Sequence, residues 1–239
     1  MWAIWQSWEA DLESNVKLVP ARDSMNVATT STRRGLWLEL SPAAVDLYWL
    51  PLGAGAPSGS RLVRFNGRAY EALSAAFERR QPFDLYHAGL EVSLGDGFFV
   101  IEVAPSPDAW HARRGVVAEG PVGSRLAGAL RLFRYEVRCW SDGAIPDVDE
   151  AVASPVRVTD HPEIAHRLLE LVPTVPTLVW GRDELQTGDM WNSNSVISWL
   201  IARAGLPVED IALPPQGRAP GWAAGIRAAR SNQLWRRLV

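Results

Sequence analysis

Trp191-Asn192-Ser193-Asn194-Ser195-Val196-Ile197-Ser198-Trp199-Leu200 is the stretch on which the reading of this chain turns. Positions 192–195 are all Asn or Ser, the side chains that best accept hydrogen bonds from the free N–H groups of a helix start. Apolar residues follow at helical spacing, with Gly205 and Pro207 placed to end the run. The sequence therefore predicts a helix from Asn192 to Arg203. A helix start carries unpaired N–H groups and the positive end of the dipole, so it favours a nucleophile or an oxyanion. A hydroxyl at 193 then has two readings, as a plain helix cap or as a nucleophile that needs a nearby base. Ser195 is a second hydroxyl open to the reactive role.

Upstream, Asp160-His161-Pro162-Glu163 predicts another helix start. Asp160 would be its cap, Glu163 the partner in a capping box, and Ile164, Leu168, Leu169 and Val172 its buried face. Further back, residues 85–94 alternate strictly. Tyr86, Ala88, Leu90, Val92 and Leu94 fall on one side; His87, Gly89, Glu91 and Ser93 fall on the other. Gly95-Asp96-Gly97 is a hairpin turn, and Phe98 to Ala104 is the return strand. Val45 to Leu50, Gly115 to Glu119 and Leu132 to Trp140 also read as strands. Gly67 to Arg80 reads as a helix, and residues 141–159 as a polar loop. The expected class is α+β, an antiparallel sheet packed against helices. Residues 1–40 read as a weakly ordered extension, 41–206 as the domain, and 207–239 as a tail with an amphipathic helix.

The order and residues resemble the circularly permuted papain-like superfamily: permuted NlpC-type peptidases, lecithin:retinol acyltransferase-like proteins and PPPDE peptidases. In those proteins the histidine strand precedes the nucleophile helix. Tyr86-His87-Ala88-Gly89-Leu90 is similar to the histidine strand, and Asn192-Ser193-Asn194 to the nucleophile helix, with serine in place of cysteine. The resemblance covers residues 45–206. It implies acyl transfer at an amide, peptide or ester bond. Ser193 would be the nucleophile and His87 the general base, with the oxyanion on N–H groups at the helix start beside Asn192, Asn194 and Ser195. The alternative is a catalytically inactive module that binds a peptide or acyl ligand in the same cleft.

The exchange of cysteine for serine matters chemically. A thiol, with pKa about 8.5, becomes a thiolate readily beside an imidazolium. A serine needs a neutral, aligned histidine during attack. Glu102 could orient that histidine if the hairpin turn centres on Gly95-Asp96, which sets Glu102 diagonal to His87, roughly 7–8 Å away. A turn centred on Asp96-Gly97 would put it opposite Glu91 instead.

The composition narrows the class of partner. With 24 basic and 27 acidic residues the net charge is −3, and no basic stripe suggests nucleic acid. No run reaches the roughly 18 apolar residues of a membrane span, so no membrane partner is expected. The first residues lack the basic and apolar regions of a secretory signal. The single cysteine, Cys139, can form no internal disulfide; a cytoplasmic protein is expected. His161 and His166 do not share a helix face and no metal spacing occurs, so neither a metal nor a cofactor is expected. Twelve tryptophans are scattered without a period. Those at 2, 5 and 8 have helical spacing and could serve a partner.

Overall fold

The computed structural model describes residues 43–52, 79, 81–95, 97–105, 115–145 and 148–231. Its centre is a mostly antiparallel sheet: β1 (Ala43–Pro51), β2 (Asp84–Leu94), β3 (Gly97–Pro105), β4 (Val116–Pro121), β5 (Arg134–Ser141), β6 (Val156–Thr159) and β7 (Gly217–Arg218). The spatial order is β4-β5-β3-β2-β1-β6, with β7 adding in parallel beside the start of β2. Helices α1 (Pro162–Leu171), α2 (Ser193–Arg203) and α3 (Trp222–Arg230) complete the described architecture. The class is mixed α+β with an antiparallel sheet, as the alternation in the sequence implied.

Strand alternation decides which side the helices cover. Tyr86, Ala88, Leu90 and Val92 of β2 join Val45, Leu47 and Trp49 of β1, Ile101 and Val103 of β3, and Tyr135 and Val137 of β5 in one large core. Leu168 and Leu169 of α1 and Val196, Ile197 and Leu200 of α2 close that core from above. The opposite sheet face holds a smaller cluster of Leu50, Val100 and Ile145, flanked by Tyr48, Phe98 and Trp140.

Three sequence expectations change. Helix α1 is capped by His161 without a side-chain hydrogen bond, not by Asp160, because Pro162 takes the first helical position and the cap is the residue before it. The polar loop assigned to 141–159 contains strand β6. It is fastened to β1 where Arg157 Nε and Nη2 donate to the two oxygens of Asp46, at 2.6 and 3.2 Å. The segment read as a tail from 207 is part of the fold. Val208, Ala219, Ala228 and Ala229 are buried in the main core. The helix expected over 67–80, and residues 1–40, lie outside the described residues apart from Arg79. No described helix is long and apolar enough to cross a membrane.

Candidate functional site

The start of α2 is built from its own polar residues. Asn192 is the N-cap, and its Oδ1 accepts from the N–H groups of Asn194 at 2.9 Å and Ser195 at 3.3 Å. Ser195 Oγ accepts the Asn192 N–H at 3.1 Å, which completes a capping box. The single Ser195 hydroxyl proton faces the carbonyls of Gly221 at 2.8 Å and Met190 at 3.1 Å. Asn194 Nδ2 uses its two protons on the carbonyls of Tyr86, 3.0 Å, and Pro220, 2.9 Å. Asn192 Nδ2 also donates to Pro220, at 2.8 Å. One turn later Ser198 Oγ donates to the Trp222 carbonyl, at 2.8 Å.

These bonds clamp α2 between β2 and the strand-to-helix segment 219–222. Gly221, at φ +89°, is required by that approach: a Cβ there would stand 2.2 Å from Asn192 Oδ1. The clamp gains a further tie from Asp189. Its Oδ2 accepts the Gly221 N–H at 2.7 Å and its Oδ1 accepts the Met190 N–H at 2.9 Å. Burial raises the Asp189 pKa, and the two backbone bonds oppose that rise.

Ser193 stands apart from this web. It is only 6% exposed, yet its hydroxyl makes no hydrogen bond with any described residue. Capping belongs to Asn192 and Ser195, which removes the plain-cap reading of Ser193. Ser195 is buried and engaged on both its donor and acceptor sides, which removes it as a reactive hydroxyl.

His87 is close in the chain to the clamp, since Asn194 holds the carbonyl of the preceding residue. Its side chain nevertheless belongs to the other sheet face. Tyr86 and Ala88 point into the helix-covered core, so His87 between them points away. Its cross-strand partner is Leu50 of the second cluster, and a Cβ on Gly89, two residues on, would meet Ile145 of that cluster at 3.5 Å. No hydrogen bond joins His87 to Ser193 among the described residues, so the expected nucleophile–base pair is not formed. The physical reason lies in the alternation. The even-numbered residues of β2 are the large apolar ones, and helices pack on that face.

Glu102 is corrected too. The hairpin closes with Leu94 paired to Gly97, the register of the first alternative. Extending that register sets Glu102 opposite Gly89, on the His87 face. The carboxylate is taken by Arg138, whose Nη1 lies 3.4 Å from Oε1. Arg138 also donates twice to Glu136 Oε2, at 2.7 and 2.9 Å. Glu102 therefore neutralises a buried guanidinium and makes no bond to the imidazole. This acid–arginine group was missed in the sequence, although β5 shows it: Glu136 and Arg138 alternate with Tyr135, Val137 and Cys139.

Burial lowers the His87 pKa to about 4, because the charged ring would lose its water. The ring is neutral at neutral pH but a poor proton acceptor. Between pH about 4 and 6.5 an unfolded chain binds the proton and the folded chain does not. Stability contributed by the neutral ring is therefore present above that window and lost as pH falls through it. His87→Gln should flatten this part of the pH dependence, read as the difference in midpoint temperature between variant and parent from pH 7 to pH 4.5. An identical slope in both proteins would place the ring in solvent.

A cleft of about 460 Å³ lies immediately before α2, lined by Gly181, Asp183, Gly188, Asp189, Met190, Arg218, Ala223 and Arg227. Asp183 shapes one wall, accepting from the Thr187 and Gly188 N–H groups, each at 2.7 Å. The charges are balanced, two carboxylates against two guanidiniums. Burial pushes the Cys139 thiol up to about 12, so it is inert as a nucleophile. No group of three or more His, Cys, Asp or Glu suited to a metal occurs among the described residues. Comparison with family models, with curated proteins and with solved structures finds no match to this chain.

Proposed function

We propose that this chain is a non-catalytic module of permuted papain-like architecture, in which the helix once suited to a nucleophile has become a structural clamp beside a peptide-binding cleft. The observation that carries this reading is the orientation of His87, whose ring shares the sheet face of Leu50 and Ile145 while Ser193 opens the helix on the other face. Serine chemistry needs a base within roughly 2.6–3.2 Å of the hydroxyl. A ring with a pKa near 4 is also mismatched to proton abstraction at neutral pH. The cleft beside Met190 is lined by charge and backbone, not by the aliphatic wall an acyl chain requires, so a short peptide fits it better.

A second reading, a serine hydrolase or acyltransferase, draws on one specific observation: Ser193 is the only side chain of 192–195 left without a hydrogen bond among the described residues. A fluorophosphonate probe separates the two. No labelling above that of Ser193→Ala is expected; labelling that vanishes in Ser193→Ala would replace the binding reading with the hydrolase. The binding reading has its own test in titration with the tetrapeptide Lys-Gly-Gly-Glu, which offers both charges to the cleft. Arg227→Glu should weaken it by about fivefold or more, the loss of one charge-assisted contact. Absence of saturable binding to the parent protein would remove the cleft from the argument.

A further inference from the structure

The connection from β4 to β5 has a composition unlike the rest of the surface. From Gly120 to Tyr135 there is no acidic residue, but there are three arginines, Arg125, Arg131 and Arg134. Leu126 is 89% exposed, Leu130 63%, Leu132 67% and Phe133 40%. These are four of the seven large apolar side chains that stand exposed among the described residues, and all lie within one stretch of eight. Single exposed leucines are ordinary; a group of this kind on one short excursion marks a contact surface.

The excursion is held in shape from within. Two 3-10 turns, Ala127–Ala129 and Arg131–Phe133, form its tip. Val122 N–H donates to the Phe133 carbonyl at 2.8 Å and closes the base. Arg134 Nε donates to the Gly128 carbonyl at 2.6 Å and draws the tip back. Gly128 rests on Pro121, where a Cβ would sit 2.5 Å from the proline ring. The leucines are therefore presented by a built loop.

The charges form a collar around them. Arg125 pairs with Glu184 at 2.9 Å, and Arg134 with Glu119 at 3.0 Å. The Arg125–Glu184 pair is two-pronged, Nε and Nη2 meeting the two oxygens at 2.9 and 3.1 Å, whereas the Arg134–Glu119 pair is a single half-exposed contact of the kind that contributes little. Arg131 has no carboxylate partner among the described residues. Arg182 reaches the same base, its Nε donating to the Gly123 carbonyl at 2.8 Å.

We propose that this loop is a membrane-surface anchor, which inserts Leu126, Leu130, Leu132 and Phe133 among acyl chains while the arginines bind the phosphates of anionic lipids. Exposure favours this occupant, because Leu126, Leu130 and Leu132 are each more than half exposed and can enter a deformable medium without needing a matching groove. Charge complementarity favours it as well: the loop carries no acid of its own, Arg131 has no carboxylate partner among the described residues, and leucine and phenylalanine beside a free arginine match a negative lipid surface. The contact is peripheral and needs no spanning helix.

Flotation of the full chain with vesicles tests it. Vesicles of phosphatidylcholine with one quarter phosphatidylserine should bind the protein about tenfold more tightly than pure phosphatidylcholine, and added salt should erase most of that difference. The double variant Leu126→Glu, Leu132→Glu should lose binding to both by about tenfold or more, with an unchanged circular dichroism spectrum, since both side chains sit in water. Arg131→Glu should weaken binding only where phosphatidylserine is present. Absent vesicle binding, or binding the double variant retains, overturns the proposal. So does a concentration-dependent dimer that the double variant abolishes, because the patch would then be a protein interface.

Discussion

Gly225→Ala is expected to destabilise the fold by about 3 kcal/mol or more, at the upper end of what overpacking costs. In an isolated helix this exchange would stabilise by about 1 kcal/mol, because glycine is the poorer helix former. Packing decides the sign here. A Cβ on Gly225 would lie 2.1 Å from the Ser195 carbonyl oxygen and 2.1 Å from Ser198 Oγ. The first is backbone in the first turn of α2, fixed by the capping box, and has nowhere to go. Helices α2 and α3 meet closely because Gly225, Ala224 and Ala228 leave room for one backbone to rest on the other. Accommodating a methyl would lift α3 and break the Ser198–Trp222 and Ser195–Gly221 bonds together. Urea unfolding followed by tryptophan fluorescence measures this. A midpoint unchanged or raised would mean that the two helices do not touch at Gly225.

Asn194→Asp is expected to be of similar size, by a different route. The exchange is nearly isosteric, yet it removes both protons that hold the carbonyls of Tyr86 and Pro220 and sets a carboxylate against two carbonyl oxygens. Asn194 is 2% exposed, so water cannot take over. A buried, uncompensated charge costs about 3–5 kcal/mol. The dipole at the α2 start returns about 0.3–1 kcal/mol, which is too little to offset it. The sign with pH is distinctive. Burial and the two carbonyls raise the pKa of the new carboxyl in the folded state, so the folded chain binds its proton more tightly than the unfolded one. The variant should then regain stability as pH falls through that raised pKa. Both proteins keep His87, so its loss of stability in acid cancels from the difference between them. Thermal midpoints of both proteins from pH 7.5 to pH 4.5 should approach each other on acidification. A constant gap would show that Asn194 is not held as described.

Much of the architecture was legible because it rests on local period. The strict alternation of 85–94 and the polar start of α2 are short-range signals, and each element stands where they put it, whereas the centre of the hairpin over Gly95-Asp96-Gly97 stayed open in the sequence and is fixed only by the pairing of Leu94 with Gly97. Strand β6 was not legible. It is four residues, Val156–Thr159, and its pairing depends on Asp46 meeting Arg157 across 111 positions. The burial of residues 217–230 was missed for a related reason. Alanine and glycine carry a weak apolar signal in sequence, but they are what a close helix–helix contact demands. The candidate site divides along the same line. Asn192 and Ser195 could be assigned to a capping box from their spacing alone. The direction of His87 was also written in the sequence, since it alternates with the large apolar residues that face the helices. Reading it toward Ser193 set family resemblance above that alternation. The engagement of Glu102 by Arg138 required knowing that β5 lies beside β3, which no local pattern reveals.

The clamp at the start of α2 has a consequence for the order of events during biosynthesis. Tyr86 is made more than a hundred positions before Asn194, whereas Pro220, Gly221 and Trp222 follow it by fewer than thirty. While the ribosome still withholds those three carbonyls, the Nδ2 group of Asn192 and one proton of Asn194 lack the Pro220 carbonyl, and Ser195 and Ser198 keep only their bonds to Met190 and to the Ser195 carbonyl, so the nascent helix rests on the sheet with half of its clamp missing. The clamp closes when the 219–222 segment emerges and supplies the Pro220, Gly221 and Trp222 carbonyls.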